Sequence, residues 1–279
     1  MSTFLRQLGT FTSWFKIPSQ GMERYECLSH ATAVCVALSD RKPLRFLTSA
    51  HVAQPWMWPH YYPQDWIRYI RDEHTRYTLD VRADDGSVLA SYELDKSTID
   101  VHPTRDIVSL SLGVETELTF ISQPEKLSIL PVSLSRGPIG SDTPVTVAGH
   151  ALVDRETEMD THDEFCSNED GYALDGRLLP LQLPESSSGC FLAGRTGAQS
   201  FLRVFGEGGK PHVLKEGMCG GGVFGEGGEF SHPSTLYGVI DGVVPMGSLQ
   251  APHLAGCASF VDANELRAWL SSSGGDRCE

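Results

Sequence analysis

Short apolar runs that alternate with polar residues, separated by turn-forming residues, dominate the first half of the sequence. Runs of this kind are typical of β-strands. They cover 30–38, 44–48, 78–81, 88–94 and 107–112. Segment 39–43 has the composition of a turn, and 84–87 (Asp-Asp-Gly-Ser) is typical of a hairpin turn. The pattern therefore predicts a small antiparallel β-barrel.

The second half repeats this organisation after a connector. Prolines and glycines are frequent between 124 and 140, and a new apolar run begins at 144–150. A second run, 236–244, has the composition of a buried strand. We place the boundary between two β units near residue 135, so that 26–135 and 136–279 form separate barrels.

One segment of the first half departs from the strand pattern. Region 54–77 is rich in aromatic residues, and Trp66, Ile67, Tyr69 and Ile70 have helical spacing. We interpret this insertion as packing over the barrel in preference to a substrate-binding lid, and both alternatives stay open.

The amino-terminal segment, 1–25, is a separate unit in this interpretation. Its first 22 residues have no acidic residue, two basic residues (Arg6 and Lys16), and several Phe, Leu and Trp residues. A mitochondrial presequence has this composition, but so does an apolar arm packed on the barrels. The protein is then intracellular, either mitochondrial or cytoplasmic.

Charge and hydropathy exclude two classes of partner. The net charge of -14, from 22 Lys and Arg against 36 Asp and Glu, argues against nucleic acid, because phosphate binding needs a basic face. No apolar run approaches the roughly 20 residues that a membrane span needs. The sequence predicts neither a nucleic-acid nor a membrane partner.

Candidate chemistry is concentrated in three motifs. Gly217-Met218-Cys219-Gly220-Gly221 places a thiol between glycines, on a turn that could direct backbone N–H groups at a substrate carbonyl. Upstream, His51 ends the run Thr-Ser-Ala-His, and Asp106 opens an alternating segment. His51 precedes Asp106 by 55 residues, and Asp106 precedes Cys219 by 113. Each gap has room for several strands.

These motifs, in this order, resemble the chymotrypsin-like peptidases of the trypsin fold over most of residues 30–270. The resemblance implies an all-β protein of two packed antiparallel six-stranded barrels, with a helical and aromatic insertion after the histidine motif. It implies a catalytic set of His51, Asp106 and Cys219, with an oxyanion hole formed by the amides of Gly217 and Cys219. Cys219 would attack as a thiolate, because an imidazolium lowers the pKa of a neighbouring thiol. Acyl transfer would then pass through a thioester at Cys219.

The same resemblance assigns the substrate pocket to Val213, Asp241 and Val243. Val213 at the pocket base implies a preference for small or apolar side chains, and Val243 in place of the usual glycine narrows the slot. Asp241 stands where the family has a neutral residue. It either lies beside Asp106, where two carboxylates repel and misplace His51, or turns toward the pocket and selects a basic group.

The end of the chain resembles the last strand and closing amphipathic helix of that family. Asp262 is the expected N-cap, and Leu266, Trp269 and Leu270 are expected on the packed face. The seven cysteines are an odd number, and the bridge that commonly clamps the histidine loop is missing because Val52 follows His51. We interpret the thiols as reduced. Apart from Cys219 they are expected to be buried or inert: Cys27, Cys35, Cys166, Cys190, Cys257 and Cys278.

Two functions follow from the sequence. One is a cysteine endopeptidase that acts on a peptide or protein substrate. The other is an inactive pseudo-peptidase that serves as a binding or assembly module in a larger, mitochondrial or other, complex. The acidic stretch 154–175 has no ligand spacing of a known metal loop, and we expect no metal and no cofactor.

Overall fold

The computed structural model describes residues 6–38, 43–62, 64–83, 85–124, 127–137, 144–152, 182–191, 200–205, 211–225, 235–249 and 252–272. Every structural statement concerns these residues. The predicted acidic stretch 154–175, with Cys166 and Cys278, and most of the turn 39–43 lie outside them. The side chain of Cys190 is likewise outside the description.

The first half of the chain forms a closed antiparallel barrel. Its strands are β1 (Leu8–Phe15), β2 (Glu26–Val36), β3 (Arg45–Thr48), β4 (Thr75–Arg82), β5 (Val88–Val101) and β6 (Val108–Leu112). They pair in the order β1-β2-β3-β6-β5-β4, and pairing of β1 with β4 closes the ring. Alternate residues such as Phe11, Phe46 and Leu110 point inward and form the core.

The second half forms a curled sheet. Its strands are β7 (Ser133–Leu134), β8 (Pro144–Leu152), β9 (Gln182–Phe191), β10 (Ser200–Phe205), β11 (Pro211–His212), β12 (Gly222–Gly225), β13 (Thr235–Val243) and β14 (Ala258–Asp262). The order is β11-β10-β14-β13-β12-β8-β9, with β7 parallel to β13 and a further pairing of β9 with β10. The prediction of an all-β fold with two β units is confirmed.

A shared apolar layer holds the two units together. Leu8 and Leu47 enter it from the first barrel, Phe224 and Val239 from the second sheet, and Trp269 from the carboxyl-terminal helix. All are buried, so the contact between the units is part of the hydrophobic core.

In the described part of the chain, three α-helices accompany the strands: α1 (Ala50–Ala53), α2 (Val114–Ser122) and α3 (Ala263–Ser272). The Asp262 carboxylate accepts bonds from the amides of Asn264 and Glu265, at 3.0 and 3.1 Å, which confirms the predicted N-cap. Leu266, Trp269 and Leu270 are buried on the packed face of α3, as expected. None of the helices in the described part of the chain is long and apolar enough to cross a membrane.

Short 3₁₀ helices make up most of the aromatic insertion. They are Pro55–Met57, Pro59–Tyr61, Asp65–Tyr69 and Asp72–His74; two others are Pro18–Gln20 and Pro252–Leu254. Proline begins several of them, since its fixed φ suits the first helical position.

The amino-terminal segment differs from the expectation. We placed 1–25 outside the first barrel, but Leu8–Phe15 is one of its six strands. Every residue of the strand is buried: Phe11 lies in the core of the barrel, and Leu8 lies in the layer shared with the second unit. Burial on both faces removes the polar alternation by which sequence patterns reveal a strand. A presequence that included β1 would remove part of the barrel.

Candidate active site

His51 is held in one orientation by Asp106. The backbone amide of His51 donates to Asp106 Oδ1 at 2.8 Å, and the ring Nδ1 lies 2.5 Å from Oδ2. A carboxylate only accepts hydrogen bonds, so Nδ1 carries the proton and Nε2 can accept one. The Ala50 amide also donates to the Asp106 carbonyl, which ties helix α1 to the acid-bearing loop.

The loop that carries Asp106 is supported by His102. Its Nδ1 accepts from the amides of Thr104 and Arg105, at 3.3 and 3.1 Å. Burial first, and then the charge of Arg105, lowers the pKa of His102, in keeping with a neutral ring that accepts at Nδ1. The ring packs edge-on against Trp269 of α3 at 5.0 Å. The carboxyl-terminal helix therefore buttresses the loop that presents the acid.

The Cys219 turn is wedged between the two units. Gly217 and Gly220 both adopt left-handed φ values, 84° and 82°. A Cβ at Gly220 would lie 2.1 Å from the carbonyl oxygen of Thr32. Only glycine fits at this position.

Thr32 of β2 fixes the same turn from the opposite barrel. Its amide donates to the Cys219 carbonyl at 3.0 Å, and its hydroxyl donates to the Gly217 carbonyl at 2.9 Å. The hydroxyl also accepts from the His150 amide at 2.8 Å. The Cys219 turn is thus positioned by a residue that sequence reasoning missed, because a threonine within a strand gives no distinguishing signal.

His51, Asp106 and Cys219 line one cleft between the two units. The cleft has a volume of about 920 Å³. Gly217, Asp241 and Val243 also line it. Val213 is not among its lining residues and is 38% exposed, whereas Leu214, Phe201 and Leu254 contribute apolar walls.

The Cys219 thiol is a weak acid in this setting. Burial is the main cause, followed by the charges of Asp106 and Asp241, and together they raise the pKa of Cys219 to about 12. The Ser49 hydroxyl opposes the shift. We expected imidazolium to lower this pKa. Instead, partial burial of Cys219 in the cleft and two nearby carboxylates both favour the neutral thiol.

Both carboxylate oxygens of Asp241 accept hydrogen bonds. Arg105 donates to its Oδ2 from Nε at 2.9 Å and from Nη2 at 2.7 Å, and the Ser259 hydroxyl donates to Oδ1 at 2.7 Å. Burial raises the pKa of Asp241, while Arg105 and Ser259 lower it. Both oxygens already have donors, which leaves this carboxylate poorly suited to select a basic side chain. Arg105, the immediate neighbour of Asp106, could have been noticed in the sequence as a cation beside the acid.

The aromatic insertion reaches His51. The Tyr61 ring stacks on the His51 imidazole with centroids 4.5 Å apart, and Tyr62 donates its hydroxyl to the His51 carbonyl at 2.8 Å. Trp58 lines the cleft with both tyrosines. The insertion therefore borders the cleft as well as packing on the barrel. Among the described residues, no three His, Cys, Asp or Glu side chains are grouped as metal ligands.

Comparison with known structures decides the fold. Human heparin binding protein superposes with a TM-score of 0.53 and 13% identity, covering 100% of this chain and 95% of that one. The fold is trypsin-like. An inactive form of Rv3671c from M. tuberculosis, a serine-to-alanine mutant, gives a TM-score of 0.49 and 13% identity, over 100% of this chain and 91% of that one. No protein-family model and no curated protein sequence matches the chain.

Proposed function

We propose that the protein is a cysteine endopeptidase in which Cys219 is the nucleophile, His51 the base and Asp106 the orienting acid. A trypsin-like fold supports peptide-bond hydrolysis in general terms. The observation that carries the finer proposal is the 2.5 Å bond between His51 Nδ1 and Asp106 Oδ2, in a cleft that Cys219 also lines.

The reaction follows the two-step acyl transfer of a triad. His51 Nε2 takes the thiol proton as Cys219 Sγ attacks the scissile carbonyl, and Asp106 stabilises the imidazolium. The amides of Gly217 and Cys219 bind the oxyanion. The imidazolium then protonates the leaving amine, and water hydrolyses the thioester at Cys219 with His51 again as base.

The raised pKa of Cys219 bears on the timing of proton transfer. A preformed thiolate–imidazolium pair is disfavoured where burial and two carboxylates raise the thiol pKa. His51 therefore removes the proton during attack, as it would from a serine, and the resting nucleophile is a neutral thiol.

A second candidate is a pseudo-peptidase that uses the same cleft for binding. Two observations favour it. The thiol pKa is raised, and Tyr61 covers one face of His51. In this alternative, the His51–Asp106 pair is a structural remnant.

Labelling with a peptide that carries a thiol-reactive electrophile separates the two. A peptidase is expected to be modified at Cys219, and His51→Ala is expected to slow labelling by about 10²-fold or more because general-base assistance is lost. Mass spectrometry of the Cys219 peptide gives the rate. Cys257→Ala is the matched control, since it removes a buried thiol outside the cleft and should leave the rate unchanged.

Equal labelling in the wild type and His51→Ala would instead support the pseudo-peptidase. Cys219→Ser is expected to keep the fold, as judged by circular dichroism, and to lose nearly all peptide cleavage, because a hydroxyl is a poorer nucleophile here than a thiol.

A further inference from the structure

The backbone brings Asp241 next to the nucleophile. The Gly220 amide donates to the Ile240 carbonyl at 2.8 Å, and the Ile240 amide donates to the Gly221 carbonyl at 2.9 Å. Gly220 directly follows Cys219, and Asp241 directly follows Ile240. Asp241 therefore enters the cleft beside the thiol, on a strand that is bonded to the nucleophile loop.

The carboxylate cannot swing away from this position. Arg105 and Ser259 occupy its two oxygens from two different elements, and Arg105 Nη2 also donates to the Phe260 carbonyl at 3.1 Å. Asp241 is only 6% exposed, so water screens its charge poorly. The ion pair also crosses from the Asp106 loop to β13, which fixes the two carboxylates relative to each other.

The charges around the thiol come from several elements. Asp106 and Asp241 are the two aspartates of the cleft, and His51 and Arg105 are the basic groups beside them. The other titratable groups that line the cleft are Tyr61, Tyr62, His30, Lys215, Glu216 and His253. Of all these charges, those of Asp106 and Asp241 raise the pKa of Cys219. Asp106 is needed by His51, whereas Asp241 has no part in the proton transfer.

We propose that Asp241, locked by Arg105 and Ser259, is a restraining carboxylate that keeps Cys219 a neutral thiol in the substrate-free protein. This inference deepens the proposed function and rests on it. The restraint protects the nucleophile, because alkylating and oxidising agents attack thiolates far faster than thiols. Its cost is a slower intrinsic reaction of the thiol.

Alkylation of Cys219 by iodoacetamide tests the restraint without any peptide substrate. Asp241→Asn removes the charge and keeps the shape. At pH 7 it is expected to speed alkylation by about tenfold, which corresponds to about one unit of thiol pKa. The alkylation rate of Cys219 is measured by mass spectrometry from pH 6 to 10, and the acceleration should stay about constant over this range because both thiols remain largely protonated. A rate equal to or slower than that of the wild type overturns the proposal.

Two further variants separate charge from structure. Ser259→Ala removes a donor without changing any charge, and its alkylation rate is expected to stay within about twofold of the wild type. The double variant, Arg105→Met with Asp241→Asn, leaves no unpaired charge. Its alkylation rate tests the restraint if Asp241→Asn alone does not fold. It is expected to react faster than the wild type and slower than Asp241→Asn. If the pair of Arg105 and Asp241 only braced the structure, the double variant would show the slowest alkylation of Cys219 among these proteins.

His51→Ala distinguishes failure of this inference from failure of the proposed function. If the peptide probe labels wild type and His51→Ala equally, the peptidase proposal fails. The iodoacetamide series still reports whether Asp241 restrains the thiol. If the probe requires His51 but Asp241→Asn does not accelerate alkylation, only the restraint is refuted.

Discussion

At the scale of single residues, the site depends on polar groups that bridge the two units. Thr32 belongs to the first barrel, yet three of its hydrogen bonds go to residues of the second half of the chain: Gly217, Cys219 and His150. Because Thr32 is fully buried, water cannot replace these bonds when they are lost. One hydroxyl thus links the geometry of the Cys219 turn to the barrel that carries His51.

Thr32→Val tests this link. The variant leaves the Gly217 carbonyl and the His150 amide without their partner, so we expect a loss of about 1–3 kcal/mol in the free energy of unfolding. Peptide-probe labelling of Cys219 should also slow. Urea unfolding and mass spectrometry give the two values.

The matched control is Thr32→Ser, which keeps the hydroxyl and should retain most of the labelling rate. If the probe labels Cys219 in Thr32→Val as fast as in the wild type, the glycines and backbone hydrogen bonds alone hold the Cys219 turn.

At the scale of elements, helix α3 supports the Asp106 loop, which is remote from it in sequence. Trp269 contacts the His102 ring, and His102 accepts from the amides of Thr104 and Arg105, which lead into Asp106. His102 Nε2 also lies 3.7 Å from Glu265 of the same helix. The helix therefore contributes to the placement of the acid as well as to the core.

Trp269→Ala should lower the free energy of unfolding by about 3–5 kcal/mol, since it opens a large cavity in the shared apolar layer. Leu118→Ala on α2 is the matched control. Leu118 is 67% exposed, and its replacement should change stability by less than about 0.5 kcal/mol. Urea unfolding of both variants measures the difference. If Trp269→Ala loses as little free energy of unfolding as Leu118→Ala, helix α3 does not stabilise the shared apolar layer.

Prediction from the sequence succeeded for several strands of the first barrel and for the last helix. The runs at 30–38 and 44–48 became parts of β2 and β3, and α3 was expected with its cap and packed face. Helix α2 was not expected. Its exposed apolar residues Val114, Leu118 and Ile121 mask the contrast between a packed face and a solvent face.

Site prediction has a different limit. His51, Asp106 and Cys219 were chosen from local motifs, and the structure places them in one cleft. Arg105, Thr32 and Tyr61 were missed because their roles depend on contacts across 136, 185 and 10 positions of chain, respectively. No local pattern carries that information. The raised pKa of Cys219 was also out of reach, since it depends on burial.

At the scale of the whole molecule, the two units form one body through a common core. Leu8 of β1 and Trp269 of α3 are in the same apolar layer, although they are near opposite ends of the described chain. Strand β1 also closes the first barrel between β2 and β4. The segment considered as a presequence is therefore partly structural.

A truncation that removes residues 2–15 is expected to abolish folding. Both β2 and β4 lose a pairing partner, and the shared layer loses Leu8. Circular dichroism and a thermal melt give the result. A truncation of residues 2–5 keeps all six strands and is expected to melt cooperatively. Cooperative melting of the longer truncation would restore the interpretation of β1 as a dispensable arm.

Gly242 links substrate choice to reactivity. It lies on the cleft wall next to Asp241, and a Cβ there would stand 3.1 Å from Ser259 Oγ, the hydroxyl that donates to Asp241. A side chain introduced to reshape the cleft would therefore press on that donor. Directed evolution toward a narrower specificity at Gly242 would carry a second phenotype, a change in how readily the Cys219 thiol reacts with electrophiles. The two traits would have to be selected together.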